Sequence, residues 1–205
     1  MNTIALKHSR FAAPDLFHKL SVALEERTDG VADKEKEYVW YGQISDFEQL
    51  KKAASTEKQS QSSMKGVNGT TRVRRVLKDN GQADHFLTCK NYTGNGECDE
   101  VTQRTTEDMW RAYRGATGES MDKIRFVFPI EGTDLKWEVD IFVGLDMKGM
   151  KAWCKIDLES PTDLTEFPPL PIQLNEVIFH PLKQYTPEQD KKIKELYATL
   201  FTNKL

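Results

Sequence analysis

The 205 residues, 38% hydrophobic and 30% charged, suit one globular domain and exclude extended disorder. Lys and Arg number 29 against 32 Asp and Glu, so the net charge of −3 supplies no overall basic field for nucleic acid or membrane, and a phosphate site has to come from local clustering. Cys89, Cys98 and Cys154 show no CxxC pair or neighbouring His, and no apolar run reaches signal-peptide or membrane-span length. A cytoplasmic chain with no membrane and no disulfide-linked partner is the expectation.

In chain order, Leu16, Phe17, Leu20, Val22 and Leu24 recur at near-helical spacing and predict an amphipathic helix over 14–27, stopped at Thr28-Asp-Gly30. Tyr38 to Ile44 reads as a strand, and Ser45-Asp46 as an N-cap for a second helix in FEQLKKAASTEK. Gln59 to Gly69 reads as a loop. Short strands follow as TRVRRVL, HFLTCKN and ECDEVTQ, with turns at Asp79-Asn-Gly81 and Thr93-Gly-Asn-Gly96. Glu107 to Arg114 predicts a short helix, and KIRFVFPI, LKWEVDIFV and KAWCKIDLE three more strands. EFPPLPIQL is too proline-rich for a core element, and Pro187 opens a last helix over 187–202.

Strand residues alternate between faces, and here the two faces differ in kind. Trp137, Val139 and Ile141 oppose Glu138 and Asp140; Ile124, Phe126 and Phe128 oppose Lys123 and Arg125; Cys154, Ile156 and Leu158 oppose Lys155, Asp157 and Glu159. Leu87 and Cys89 oppose Thr88 and Lys90, while Arg72 and Arg74 share a parity. Amphipathic helices need an apolar surface to cover, which puts the apolar face outside and the charged face, bearing both signs, inside a curved sheet. Trp40, Trp137 and Trp153 read most simply as packing residues, although Trp153 shares parity with Lys155 and could stack on a base.

In this order Arg72-Val-Arg74, Leu87-Thr-Cys-Lys90, Glu97 to Glu100, Trp137-Glu-Val-Asp-Ile-Phe142, Lys155-Ile-Asp-Leu-Glu-Ser160 and PPLPIQLNEVIFHPLKQYTP resemble the CYTH or triphosphate tunnel family over residues 70 to 186. The resemblance implies an α+β fold, an antiparallel eight-stranded β-barrel or tunnel flanked by helices, spanning 1–205 as one domain. It implies a triphosphate ligand, whether inorganic triphosphate, a nucleoside triphosphate or an RNA 5′ end, and Mg²⁺ or Mn²⁺ as cofactor. Arg72, Arg74, Lys90, Arg125 and Lys155 would bind phosphate. Glu138, Asp140 and Asp157 would be catalytic, and with Glu35, Glu37, Glu100 and Glu159 would hold metal. Arg forks and a Lys point charge suit phosphoryl oxygens, and hard cations suit carboxylates.

Three positions depart from the family pattern. Val39 stands where the opening Glu-x-Glu-x-Lys has its Lys, Cys98 where a Glu would precede Glu100, and Lys155 where a metal-binding Glu is expected. A metal-dependent triphosphatase, a tunnel that binds without turnover and a class IV adenylyl cyclase-like enzyme therefore all stay open. Loss of Arg72 or Arg125 is expected to weaken triphosphate binding without unfolding the chain.

Overall fold

The period-two alternation builds one antiparallel sheet. The computed structural model of the chain describes residues 36–66, 69–94, 97–117, 120–143, 153–181 and 185–201, so the helix expected over 14–27 lies outside the described residues. The strands are β1 (Lys36–Ile44), β2 (Ser55–Lys65), β3 (Gly69–Lys78), β4 (Ala83–Gly94), β5 (Glu97–Arg104), β6 (Met121–Pro129), β7 (Lys136–Phe142), β8 (Trp153–Ser160) and β9 (Leu174–Pro181). Helix α1 spans Glu107–Thr117 and helix α2 Pro187–Phe201.

The sheet order is β5-β4-β3-β2-β6-β7-β8-β1-β9, with nine strands where eight were expected. The additional one is β2, which replaces both the end of the expected second helix and the loop expected from Gln59. Only Phe47–Lys52 is helical there, as a 3-10 turn capped by Asp46, whose Oδ1 accepts from the Glu48 N–H at 2.9 Å. STEKQSQSSMK shows no apolar alternation, because its residues on the charged face, Glu57, Gln59 and Gln61, are polar, and its other face buries Ser62.

Nor is the sheet a closed barrel: β5 and β9 are its edges. A bulge bends β9, where the register with β1 shifts between Gly42 and Gln43 and Glu176 takes φ 48°, and the β4–β5 register shifts between Tyr92 and Gly94. Bulged edges do not present straight ladders to one another.

The open sheet is nonetheless strongly curled. Lys90 on β4 and Glu37 on β1 are six strand spacings apart, about 29 Å on a flat sheet. Yet the Glu37 carboxylate, after Glu100, is among the charges that raise the Lys90 pKa against burial, in keeping with a charged face that curls toward a common space.

The convex face carries the apolar parity. Tyr38, Trp40, Trp137, Val139, Cys154, Ile156 and Leu158 form its main cluster with Leu50 and Ile172. Each fully buried aliphatic there contributes about 1.5–3 kcal/mol. Ile172 belongs to the proline-rich stretch, and Phe167 packs edge-on against Tyr38 and Trp40. That stretch has no regular structure before β9, but, against expectation, it is part of the core, since proline forbids ladder bonds and not packing. Helix α1, capped by Thr106, presses Trp110 onto Val73 and Leu87.

Helix α2 begins with a reciprocal cap: the Gln189 N–H donates to Thr186 Oγ1 at 3.2 Å, and the Thr186 N–H to Gln189 Oε1 at 2.9 Å. Its Ile193 packs with Val39, Tyr41, Met121, Phe142, Trp153 and Ile178. All of these lie on the charged face, Ile178 as the direct partner of Tyr41, so α2 plugs one end of the concave side rather than covering the convex one. Trp153 is thereby a buried packing residue, crossed by the Lys192 ammonium at 5.4 Å, and not a platform for a base. Among the described residues no helix is long and apolar enough to cross a membrane, and Cys89 and Cys154 are free buried thiols.

Candidate anion-binding site

Cross-strand register brings the charged residues to one face. Lys155 pairs with Asp140, Asp140 with Arg125, Arg125 with Glu57, Asp157 with Glu138, and Lys90 with Glu100. Glu37 has their parity on β1, and Arg72 and Arg74 have it on β3. The structure thus gathers Glu37, Arg72, Arg74, Lys90, Glu100, Arg125, Glu138, Asp140, Lys155 and Asp157 about one concavity. Glu35 lies outside the described residues, and Glu159 is exposed at the mouth, in a cleft of about 420 Å³ lined also by Lys136 and Glu138.

The wall formed by β6, β7, β8 and β1 is ion-paired. Asp140, wholly buried, accepts from Arg125 Nε at 2.7 Å and Nη2 at 2.8 Å, and from Lys123 Nζ. Arg125 also bonds Glu138 and lies 3.8 Å from Asp157, and Lys136 reaches Glu138 at 2.8 Å. Lys155 Nζ bridges Glu37 Oε1 at 2.9 Å and Asp157 Oδ1 at 2.7 Å. Burial opposes ionisation of Asp140, but Lys123 and Arg125 hold its carboxyl well below the usual range. Burial pushes Lys123 down to about 8, with Arg125 and Lys155 adding repulsion against the pull of Asp140. Lys123 was not among the sequence candidates; its parity with Arg125, two residues on, was the signal.

Because Arg125 holds Asp140 and Glu138, its removal leaves buried carboxylates uncompensated. The expectation that the fold would be indifferent to its loss gives way to one of destabilisation.

The β3–β4 wall is different. Lys90 bonds Glu100, with Arg72 Nη2 3.9 Å from the same carboxylate. Arg74 has no carboxylate partner among the described residues and lies 5.5 Å over the Phe86 ring. Nε of both Arg72 and Arg74 is buried without a hydrogen-bond acceptor. Burial, then Arg72 and Arg125, push Arg74 down to about 10. One wall is internally neutralised and the other is a compressed cationic surface.

The implied Mg²⁺ or Mn²⁺ does not fit the side chains as they are placed. Among the described residues no three His, Cys, Asp or Glu groups gather where an ion could sit, and Asp140, Asp157, Glu37, Glu138 and Glu100 each already bond a Lys or Arg.

Burial pushes Asp157 up to about 6, with Glu37 and Asp140 adding to the rise and Lys155 and Arg125 opposing it. Between pH 4 and 6 the folded protein then holds a proton that the unfolded chain has released, so stability falls as pH rises through that window. The loss should be on the order of 1–3 kcal/mol. Asp140 and Glu138, whose pKa values are depressed, act oppositely and withdraw stability as pH drops below about 4. Urea midpoints from pH 4 to 7 check this, and Asp157→Asn should remove the decline above pH 4; a wild-type midpoint rising across that range would contradict it.

No family model matches the chain, and no curated protein matches it significantly. Two solved structures are similar in outline. One is the crystal structure of the hypothetical protein NE1496, at 18% identity over 70% of this chain and 86% of that one, with a TM-score of 0.40. The other is an adenylate cyclase candidate (bh2851) from Bacillus halodurans, at 15% identity over 92% of this chain and 86% of that one, with a TM-score of 0.28. At those scores neither likeness carries an argument about function.

Proposed function

We propose that the concave face binds a triphosphate-bearing anion, with Arg72, Arg74 and Lys90 as its first contacts and the ion-paired wall opposite setting the shape of the space. The supporting observation is the pair Arg72 and Arg74: two half-buried arginines whose Nε donors are buried and unsatisfied, close enough for Arg72 to help lower the pKa of Arg74. Burying like charges is costly, and a polyanion that supplies acceptors and opposite charge relieves it. A triphosphate, with several oxygens spaced along a chain, can engage cations on adjacent strands together.

Isothermal titration with inorganic tripolyphosphate tests the reading. Saturable binding that weakens as salt rises is expected, and the absence of heat at any salt concentration would overturn it.

The second reading, a metal-dependent triphosphatase, would draw on Glu37, Glu138, Asp140 and Asp157, which share the charged face but would first have to give up their Lys and Arg partners. Release of orthophosphate from tripolyphosphate or ATP with Mg²⁺ or Mn²⁺ would support it. Release of pyrophosphate from ATP would point instead to cyclase chemistry.

A further inference from the structure

We infer that Lys155 is a resident cation of the site: its ammonium holds together the carboxylates that would otherwise need a divalent ion, so that polyphosphate binds without one. The inference rests on the polyphosphate reading above for its ligand, but not for the Lys155 contacts themselves.

The geometry is that of a bridging cation. Nζ lies 2.9 Å from Glu37 Oε1 on β1 and 2.7 and 2.8 Å from the two oxygens of Asp157 on β8. Asp140 is the direct cross-strand neighbour of Lys155 on β7. Two carboxylates from adjacent strands thus hold one ammonium, whose side chain is 17% exposed, and Asp140 stands beside it in register. Extended backbone on β8 fixes the placement, because Lys155 and Asp157 are two residues apart on one face and Tyr41, opposite Lys155, is held in the apolar plug with Ile193.

A divalent ion drawn to these carboxylates would have to sit within about 4 Å of a fixed positive charge in a poorly hydrated space, where repulsion is only weakly screened. It would also have to displace the Lys155 ammonium from Glu37 Oε1 and Asp157 Oδ2. Lys123 on Asp140 blocks the remaining approach in the same way. The cationic charge that a polyphosphate requires is then covalently part of the protein: Arg72, Arg74 and Lys90 on one wall, with Lys155 and Lys123 neutralising the other.

Two measurements on the unmodified protein decide the matter. Tripolyphosphate is titrated in excess EDTA and in Mg²⁺, and Mn²⁺ alone is titrated with its electron paramagnetic resonance signal as the readout. Affinity in EDTA is expected to equal or exceed that in Mg²⁺, and Mn²⁺ alone should show no stoichiometric binding. An affinity that drops about tenfold or more in EDTA, or one Mn²⁺ bound per chain, would overturn the inference while leaving the polyphosphate reading intact. Absence of tripolyphosphate binding in both buffers would overturn the polyphosphate reading, and the Mn²⁺ titration would still decide the role of Lys155. In Lys155→Gln, which removes the charge and keeps most of the length, Mn²⁺ binding should appear and tripolyphosphate binding should become Mg²⁺-dependent. Should that variant fail to fold, the wild-type measurements stand alone.

Discussion

Asp140→Ala is expected to destabilise the protein by about 3–5 kcal/mol, the largest loss of any single substitution in the charged face. Asp140 is fully buried and is the acceptor for both Lys123 and Arg125. Removing it takes nothing apolar away, but leaves two buried cations side by side, with Lys155 as a third nearby. Lys123 is itself only 6% exposed and cannot turn to solvent. Asp140→Asn keeps the shape and loses the charge, so it should fall only slightly less. The exposed pair Lys51–Glu48 provides the contrast: Glu48→Ala should cost less than 1 kcal/mol, because water and salt already screen it. Urea denaturation measures both, and a loss at Asp140 as small as that at Glu48 would mean that the buried network contributes no net stability.

The same network explains what could be read before the fold was known. Strands β6, β7 and β8 were legible because their central apolar and charged residues alternate, with exceptions only toward the strand ends such as Phe142 and Trp153, and that alternation also named Arg125, Glu138, Asp140 and Asp157 as companions on one face. Strand β2 was not, since polar residues occupy both of its sides and period two has nothing to register. The EFPPLPIQL stretch was discounted for its prolines, although its Leu170, Ile172 and Leu174 pack against the convex core. Pairing was the least legible property. A parity argument says which residues share a face, and only the placed side chains say that Lys155 meets Glu37, or that Arg74 has no acidic partner among the described residues.

That unpartnered arginine leads to the second large effect. Arg74→Met is expected to weaken tripolyphosphate binding by about 1.5–3 kcal/mol, roughly 10- to 150-fold, while raising the stability of the unliganded protein. The two changes have one cause. Without ligand, the Arg74 guanidinium is desolvated, faces Arg72 and Arg125, and leaves Nε unbonded; the depression of its pKa to about 10 records that burden. Methionine keeps the unbranched stem against Phe86 and removes the charge, forfeiting about 0.5–1 kcal/mol of cation–π attraction. The net gain in the free protein should be on the order of 1 kcal/mol, smaller than the electrostatic relief alone. With ligand bound the sign reverses, because Arg74 then donates charge-assisted hydrogen bonds that methionine cannot make. Arg75→Met supplies the control: Arg75 faces the other side, 6.0 Å over the Trp110 ring, and should leave binding unchanged. Thermal denaturation and titration of the two variants separate a binding residue from a structural one. If Arg74→Met lost stability and kept its affinity, Arg74 would be a packing residue of the β3 wall and the anion would have to bind elsewhere.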